Sequence, residues 1–432
     1  VKGNNNNINL SPIKEIELRA AKIPGVVSLA QGVPSFDTPE AVKRAAIEAI
    51  ERGKVAKYSL SPGTLEFREA IAQHLEKENK FFDFEKEIIA TAGSIEAITA
   101  TLLTILEPGD EVLIPDPTYT SYQPAIRVAK GVPVFVPLDE ARHWALDIEK
   151  FEKLITPRTK AFLFCNPNNP TGTIFSRNQL HALAQLAIRH NFYILSDEVY
   201  KDFVFEDNQG STDIKVRPFS SSSGALGIPQ GRTLYSLAEL RGIRDRLIYI
   251  FSFSKAYAMT GWRIAFLATH QDLAKKILAV HDALVTCAPV VSQFAAQAAL
   301  ELASEEVARF KKYFQKRRDL ICERLDKLNH IFEYQKPDGA YFVFPKIKDD
   351  ILLKVLGNPP ASLRKPSFAR EALRASGGSW QFAIELLEKA KVAVVPGAAF
   401  GPSGENHIRM CFGRSEKDIN LAFERMEKFF GK

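Results

Sequence analysis

Ser252-Phe253-Ser254-Lys255-Ala256-Tyr257-Ala258-Met259-Thr260-Gly261-Trp262-Arg263 decides how this chain is read. Lys255 is the only charge between Leu247 and Trp262, and aromatic, small and hydroxyl side chains surround it. Burying an ammonium is costly unless it is paired, neutral or covalently converted. An amine that sheds its proton easily is also what imine chemistry with a carbonyl requires. The plainer alternative is a lysine that lays its stem on an apolar patch and keeps its charge in water.

Working outward, Leu247–Phe253 and Arg263–Ala268 read as buried strands, as do Glu111–Pro115, Ala161–Cys165 and Phe192–Ser196. Amphipathic helices alternate with them. Ser94–Leu106 carries an apolar stripe closed by Pro108-Gly109, and Gln179–His190 leads into the strand that ends in Ser196-Asp197-Glu198. This alternation predicts an α/β fold. Beyond about residue 310 the pattern changes to charged helices (Arg309–Leu328) with strands at Gly339–Phe344 and His407–Phe412, which predicts a smaller α+β part. The expected division is a large domain over residues 48–310 and a small domain made of 1–47 and 311–432. Asp207–Arg246, with its Ser220–Ser223 run, reads as a partly ordered surface excursion, and Lys346–Trp380, with Pro359-Pro360 and Gly377-Gly378, as a mobile lobe or lid.

Four further stretches carry candidate chemistry. Gly93-Ser94-Ile95 stands where the strand Ile88–Ala92 gives way to a helix, so its free N–H groups suit a phosphate or simply cap the helix. Asn166-Pro167-Asn168-Asn169-Pro170-Thr171-Gly172 makes a sharp turn at a strand's carboxyl end, the edge where open α/β sheets bind ligands. Asp197 leaves the core at the next strand end with Tyr200 three residues on, either as a helix cap or as the counter-ion of a ring nitrogen; Glu198 faces the opposite way. Arg409 alternates with Ile408 and Met410, so its fork is offered on the other face to a carboxylate or to solvent.

In this order the pieces resemble the class I/II aminotransferases, enzymes of fold type I that depend on pyridoxal 5'-phosphate (PLP). The likeness runs from Leu29-Ala30-Gln31-Gly32 to Arg409. It implies a large domain with a mostly parallel seven-stranded sheet between helices, plus the smaller α+β domain. It also implies a role for each matching residue. Lys255 joins the coenzyme's aldehyde and later moves a proton. Asp197 pairs with the pyridine nitrogen, Asn169 and Tyr200 meet the phenolic oxygen, and Tyr119 stacks on the ring. Gly93, Ser94, Ile95, Ser252, Ser254 and Arg263 form a phosphate cup, which Tyr58 reaches from a neighbouring subunit. Gly32, Asn169 and Arg409 hold the substrate's α-carboxylate. The partners so implied are an amino acid, a 2-oxo acid (2-oxoglutarate by family habit) and a second copy in a homodimer. Aspartate-preferring relatives often carry a lysine where this chain has Ile95, which favours neutral, aromatic or broad specificity. A cysteine-conjugate β-lyase or a decarboxylase on the same fold would use the same Lys255 and Asp197, and a non-catalytic PLP-sensing module is a further alternative.

The 432 residues suffice for a large core, and 46% of them are hydrophobic. The net charge of +6 is spread along the chain, which argues against nucleic acid or membrane as a partner. Cys165, Cys287, Cys322 and Cys411 lie far apart, with no spacing suited to a metal, and three of them sit in apolar stretches and read as buried reduced thiols. With no apolar run long enough to span a bilayer and no signal-like segment, a cytoplasmic protein is expected.

Overall fold

The computed structural model describes residues 10–205, 234–355 and 377–431. A short strand β1 (Val27–Ser28) precedes the main sheet, which is built from β2 (Ile88–Thr91), β3 (Glu111–Asp116), β4 (Val132–Pro137), β5 (Thr159–Cys165), β6 (Tyr193–Asp197), β7 (Leu247–Ser252) and β8 (Ala265–Thr269). The strand order is β2-β8-β7-β6-β5-β3-β4, and β8 alone runs antiparallel to its neighbours. Helices cover both faces, so the strands are apolar on both sides. Along β5, Ala161, Leu163 and Cys165 enter one core while Phe162 and Phe164 enter the other.

Register explains where the chemistry gathers. Cys165 lies opposite Asp197, Asp197 opposite Ile250, Ser252 opposite Ala265, and Ala265 opposite Thr91. The turn after β5, the end of β6, the run after β7, the entry to β8 and the Gly93 corner after β2 therefore share one edge of the sheet. The reversed direction of β8 is what brings Arg263 to that edge.

The rest of the chain forms smaller sheets. β9 (Phe332–Glu333) pairs with β11 (Lys346–Ile347), and β1 runs parallel to β12 (Val392–Ala393). β10 (Phe342–Val343) and β13 (Val395–Pro396) flank β14 (Ile408–Cys411). Arg409 sits in that middle strand and is only 1% exposed, which removes the solvent-facing alternative.

Three expectations change. β4 was not anticipated, because an edge strand bearing Pro133 and Pro137 and only one buried residue lacks the apolar run of its neighbours. Gly339–Phe344 yields only the short β10, since Ala340 N–H bonds the Phe203 carbonyl instead of extending the strand. Asp207–Arg246 is not surface throughout: residues 206–233 lie outside the described residues, but Ser236, Leu237 and Ile243 are buried. The ends of the Lys346–Trp380 stretch are structured as β11, the helix Asp349–Val355 and the start of the helix Gly378–Glu385. The lid expected there falls on 356–376, outside the described residues.

Candidate active site

Lys255 lies in a single helical turn, Phe253–Ala256, directly after β7, with Ser252 Oγ capping the Ser254 N–H. Its half-buried side chain donates from Nζ to the Gly32 carbonyl at 2.7 Å, and Tyr341 Oη donates to the same oxygen at 3.1 Å. Burial pushes the amine down to about 8, with the Arg409 and Arg263 charges adding to the effect and Asp197 and Cys411 opposing it. Lys255 is thus close enough to Asp197, Arg409 and Arg263 to feel all three charges. The solvated-lysine alternative does not hold.

Asp197 ends β6 in the core. Its Oδ2 accepts from Tyr122 Oη at 2.8 Å and its Oδ1 from the Val199 N–H at 3.3 Å. Burial raises its carboxyl to about 6 against the pull of those two bonds. Glu198 packs separately, against Ser196 Oγ at 3.2 Å and Ser236 Oγ at 2.5 Å, as strand alternation requires.

Arg409 is gripped between the two parts of the chain. Nη1 donates to Asn169 Oδ1 at 3.2 Å, Nη2 donates to the Ala30 carbonyl, and the Phe342 ring lies 4.4 Å from the guanidinium carbon. Its Nε is buried with no hydrogen-bond partner among the described residues. An orphaned donor on a buried cation is expensive and suits an anion. The turn that presents Asn169 is tightly built: Asn168 Nδ2 donates to Thr171 Oγ1 at 3.0 Å, and the Gly172 N–H to the Asn168 carbonyl at 2.8 Å. Gly172 has φ +73°, and a Cβ there would overlap Pro337.

Gly93, with φ +93°, ends the turn after β2, and a Cβ on it would strike the Arg263 guanidinium. Ser94 and Ile95 open the helix Ser94–Ile105, whose first N–H groups have no intrahelical partner. Ser252 and Ser254 share a hydroxyl–hydroxyl bond of 3.0 Å. Tyr119 stacks edge-on against Tyr122 at 5.4 Å, and Tyr200 does so against Tyr341 at 5.3 Å. Gly32 approaches Phe342 so closely that a Cβ would lie 3.0 Å from its ring. Tyr58 stands apart at 82% exposed, in a surface cavity of about 790 Å³ shared with Lys57, Cys287 and Pro289.

Sequence reasoning missed Tyr122 and Tyr341, although Tyr122 lies in the same run as Tyr119. A tyrosine three residues beyond another carries no signal of its own, and neither contact is local: Tyr122 is 75 residues from Asp197. Among the described residues no group of His, Cys, Asp and Glu could hold a metal, and no helix is long and apolar enough to cross a membrane.

A lysine, a buried carboxylate and a buried arginine at the carboxyl edge of a seven-stranded mixed sheet define an α/β enzyme of fold type I. Residues 24–426 match the family described as aminotransferase class I and II, and the chain belongs to it. It is 35% identical to aromatic-amino-acid aminotransferase 2 of Thermococcus litoralis, over 98% of this chain and 96% of that one. It is 34% identical to an aspartate aminotransferase of Pyrococcus abyssi, with the same coverage. Among solved structures, an aromatic aminotransferase of Pyrococcus horikoshii superposes with a TM-score of 0.79 at 32% identity, covering 96% of this chain and 98% of that one.

Proposed function

We propose that this chain transfers the amino group of an L-amino acid to a 2-oxo acid, with PLP as cofactor and 2-oxoglutarate as the acceptor. The observation that carries the proposal is the unpartnered Nε of buried Arg409 beside an amine pushed down to about 8. A carboxylate on Arg409 would satisfy that donor and hold the substrate within reach of Lys255.

The residues present fit PLP. Gly93 leaves the Arg263 guanidinium room that a Cβ would fill, and a helix start and two serine hydroxyls adjoin it, a donor set for a phosphate dianion. Asp197 is a buried carboxylate able to face a protonated ring nitrogen. When bound, PLP supplies an electron sink for the carbanion left when a substrate Cα loses its proton. The chain does the rest. Lys255 Nζ takes that proton and returns it, which its lowered proton affinity suits. Asp197 would hold positive charge on the ring nitrogen, and Asn169 and Tyr200 would donate to the phenolic oxygen. Tyr119 would stack on the ring, and Arg409, Asn169 and the Gly32 backbone would orient the substrate carboxylate. The Lys255–Gly32 hydrogen bond gives way when the amine is engaged, and Tyr341 keeps the carbonyl satisfied.

The expected organisation is a large domain over 48–310 and a small one of 1–47 with 311–432, in a cytoplasmic homodimer. In that dimer Tyr58 completes the partner's phosphate cup; its exposure beside exposed Ile50 and Leu60 supports this. Ile95 at the start of the cup helix favours neutral or aromatic donors over aspartate. The relatives named above carry both aromatic and aspartate in their names.

The test is an absorbance scan of the PLP-loaded protein during addition of single amino acids. The yellow band should fade with a donor and return with a 2-oxo acid, and Lys255→Ala should show neither change while keeping its fold. Release of ammonia, pyruvate and a thiol would instead mark a β-lyase, and PLP binding without any half-reaction a sensing module.

A further inference from the structure

His281 is completely buried, on the helix Gln271–Val285, which packs along the helix that starts at Ser94. Its two ring nitrogens each meet an oxygen. Nε2 lies 3.0 Å from the Ser61 carbonyl, and Nδ1 lies 3.1 Å from Glu96 Oε1. The other Glu96 oxygen, Oε2, accepts the Ala92 N–H at 3.1 Å. A backbone carbonyl can only accept, so Nε2 must carry a hydrogen. The contact between Nδ1 and Glu96 then needs a second one, because a bare ring nitrogen and a bare carboxylate oxygen would repel each other in the core. Among the described residues, the one further charge bonded into this cluster is Asp282, which takes the Ser61 hydroxyl at 2.7 Å.

We infer that Glu96 and His281 hold one proton between them, and that this proton-bridged pair positions the phosphate cup. The pair ties three places together. Ala92 precedes Gly93, Glu96 lies two residues after Ser94, and Ser61 lies three residues after Tyr58. One end of the tether fixes the corner from which Gly93, Ser94 and Ile95 offer their N–H groups. The other fixes the loop that carries Tyr58. Neither residue touches the coenzyme in this reading, so both are positioning residues. The inference rests on the PLP reading above and adds to it a single device that sets the cup and the Tyr58 loop together.

Glu96→Gln is the informative variant. Its amide oxygen can still accept from Ala92, and its amide N–H₂ can donate to Nδ1, so the bridge survives with no shared proton. His281→Ala breaks the bridge altogether. The experiment measures PLP affinity by absorbance titration of the apo-protein, together with ¹⁵N spectra of the His281 ring in the wild type. His281→Ala should bind PLP about tenfold more weakly, the scale of one buried charge-assisted hydrogen bond lost from the support of the site. Glu96→Gln should stay within about twofold of wild type. In the wild type at neutral pH, the spectra should show a hydrogen between Nδ1 and Glu96. A bare Nδ1 facing an ionised Glu96 overturns the shared proton, and a His281→Ala protein that binds PLP as tightly as wild type overturns the positioning role. Failure of the wild type itself to take up PLP would sink the cofactor reading instead, while the ring spectra still decide the proton.

Discussion

Tyr122→Phe removes one hydroxyl and nothing else from the space behind Asp197. That hydroxyl donates to Asp197 Oδ2 at 2.8 Å, and both side chains are shut away from water. Burial already lifts the carboxyl from 3.8 to about 6, with the Tyr122 and Val199 hydrogen bonds pulling the other way. A hydrogen bond to a charged group contributes about 1.5–3 kcal/mol, so losing it raises the carboxyl by roughly one to two further pH units. Asp197 would then be largely protonated at neutral pH and would no longer hold positive charge on a ring nitrogen. In the PLP-loaded enzyme, the acidic limb of kcat/KM should move to higher pH by roughly one to two units. The stability of the apo-protein provides a second reading with a definite sign. A carboxyl raised in the folded state binds more protons there than in the unfolded chain, so its stabilising share is complete below 3.8 and is lost as pH rises through about 6. In Tyr122→Phe that loss should continue to higher pH. An acidic limb and a stability profile that coincide with those of the wild type would refute the assignment of Tyr122.

Three other perturbations follow from the same geometry. Because burial holds the Lys255 amine at about 8, PLP uptake by the apo-protein should accelerate as pH rises towards that value and level off above it; a rate independent of pH across this range contradicts the lowered proton affinity. Arg409→Ala leaves Asn169 Oδ1 and the Ala30 carbonyl without their donor, and kcat/KM should fall by about 30-fold or more, mostly through KM. An unchanged KM would show that the carboxylate binds elsewhere. Gly172→Ala adds a Cβ at φ +73° against Pro337 and the Gly339 carbonyl, which should cost about 2–4 kcal/mol of stability in a denaturant titration. An unmoved midpoint would mean that the turn can relax.

Much of this molecule was legible because its strands are buried on both faces. A run such as Ala161–Cys165 reads as a strand without knowledge of its partners, and each such run ends at the edge where open α/β sheets bind ligands. That is why the Asn166–Gly172 turn and Asp197 could be placed at strand ends from sequence, while the roles expected of Asn169, Asp197 and Lys255 came from the family resemblance. Arg409 is a harder case: alternation placed it on the face opposite Ile408 and Met410, but nothing local indicated that both faces of β14 would be buried. β4 escaped for the opposite reason, since an exposed edge with two prolines offers no apolar run.

The partners of the site residues were invisible, because hydrogen bonds across the chain leave no periodic trace. Tyr122 finds Asp197 from 75 residues away, His281 finds Glu96 from 185, and Tyr341 finds Gly32 from 309. Each of these donors is an ordinary residue for its element, a tyrosine at a helix start or beside a short strand and a histidine near a helix end. Their importance arises only where an acceptor would otherwise be buried bare. Strand ends place the candidate groups at one edge, and a distant donor such as Tyr122 lowers the proton affinity of the carboxyl it meets. A substitution that keeps every strand and every motif intact, such as Tyr122→Phe, should therefore change the working pH of the site while leaving the fold as it is.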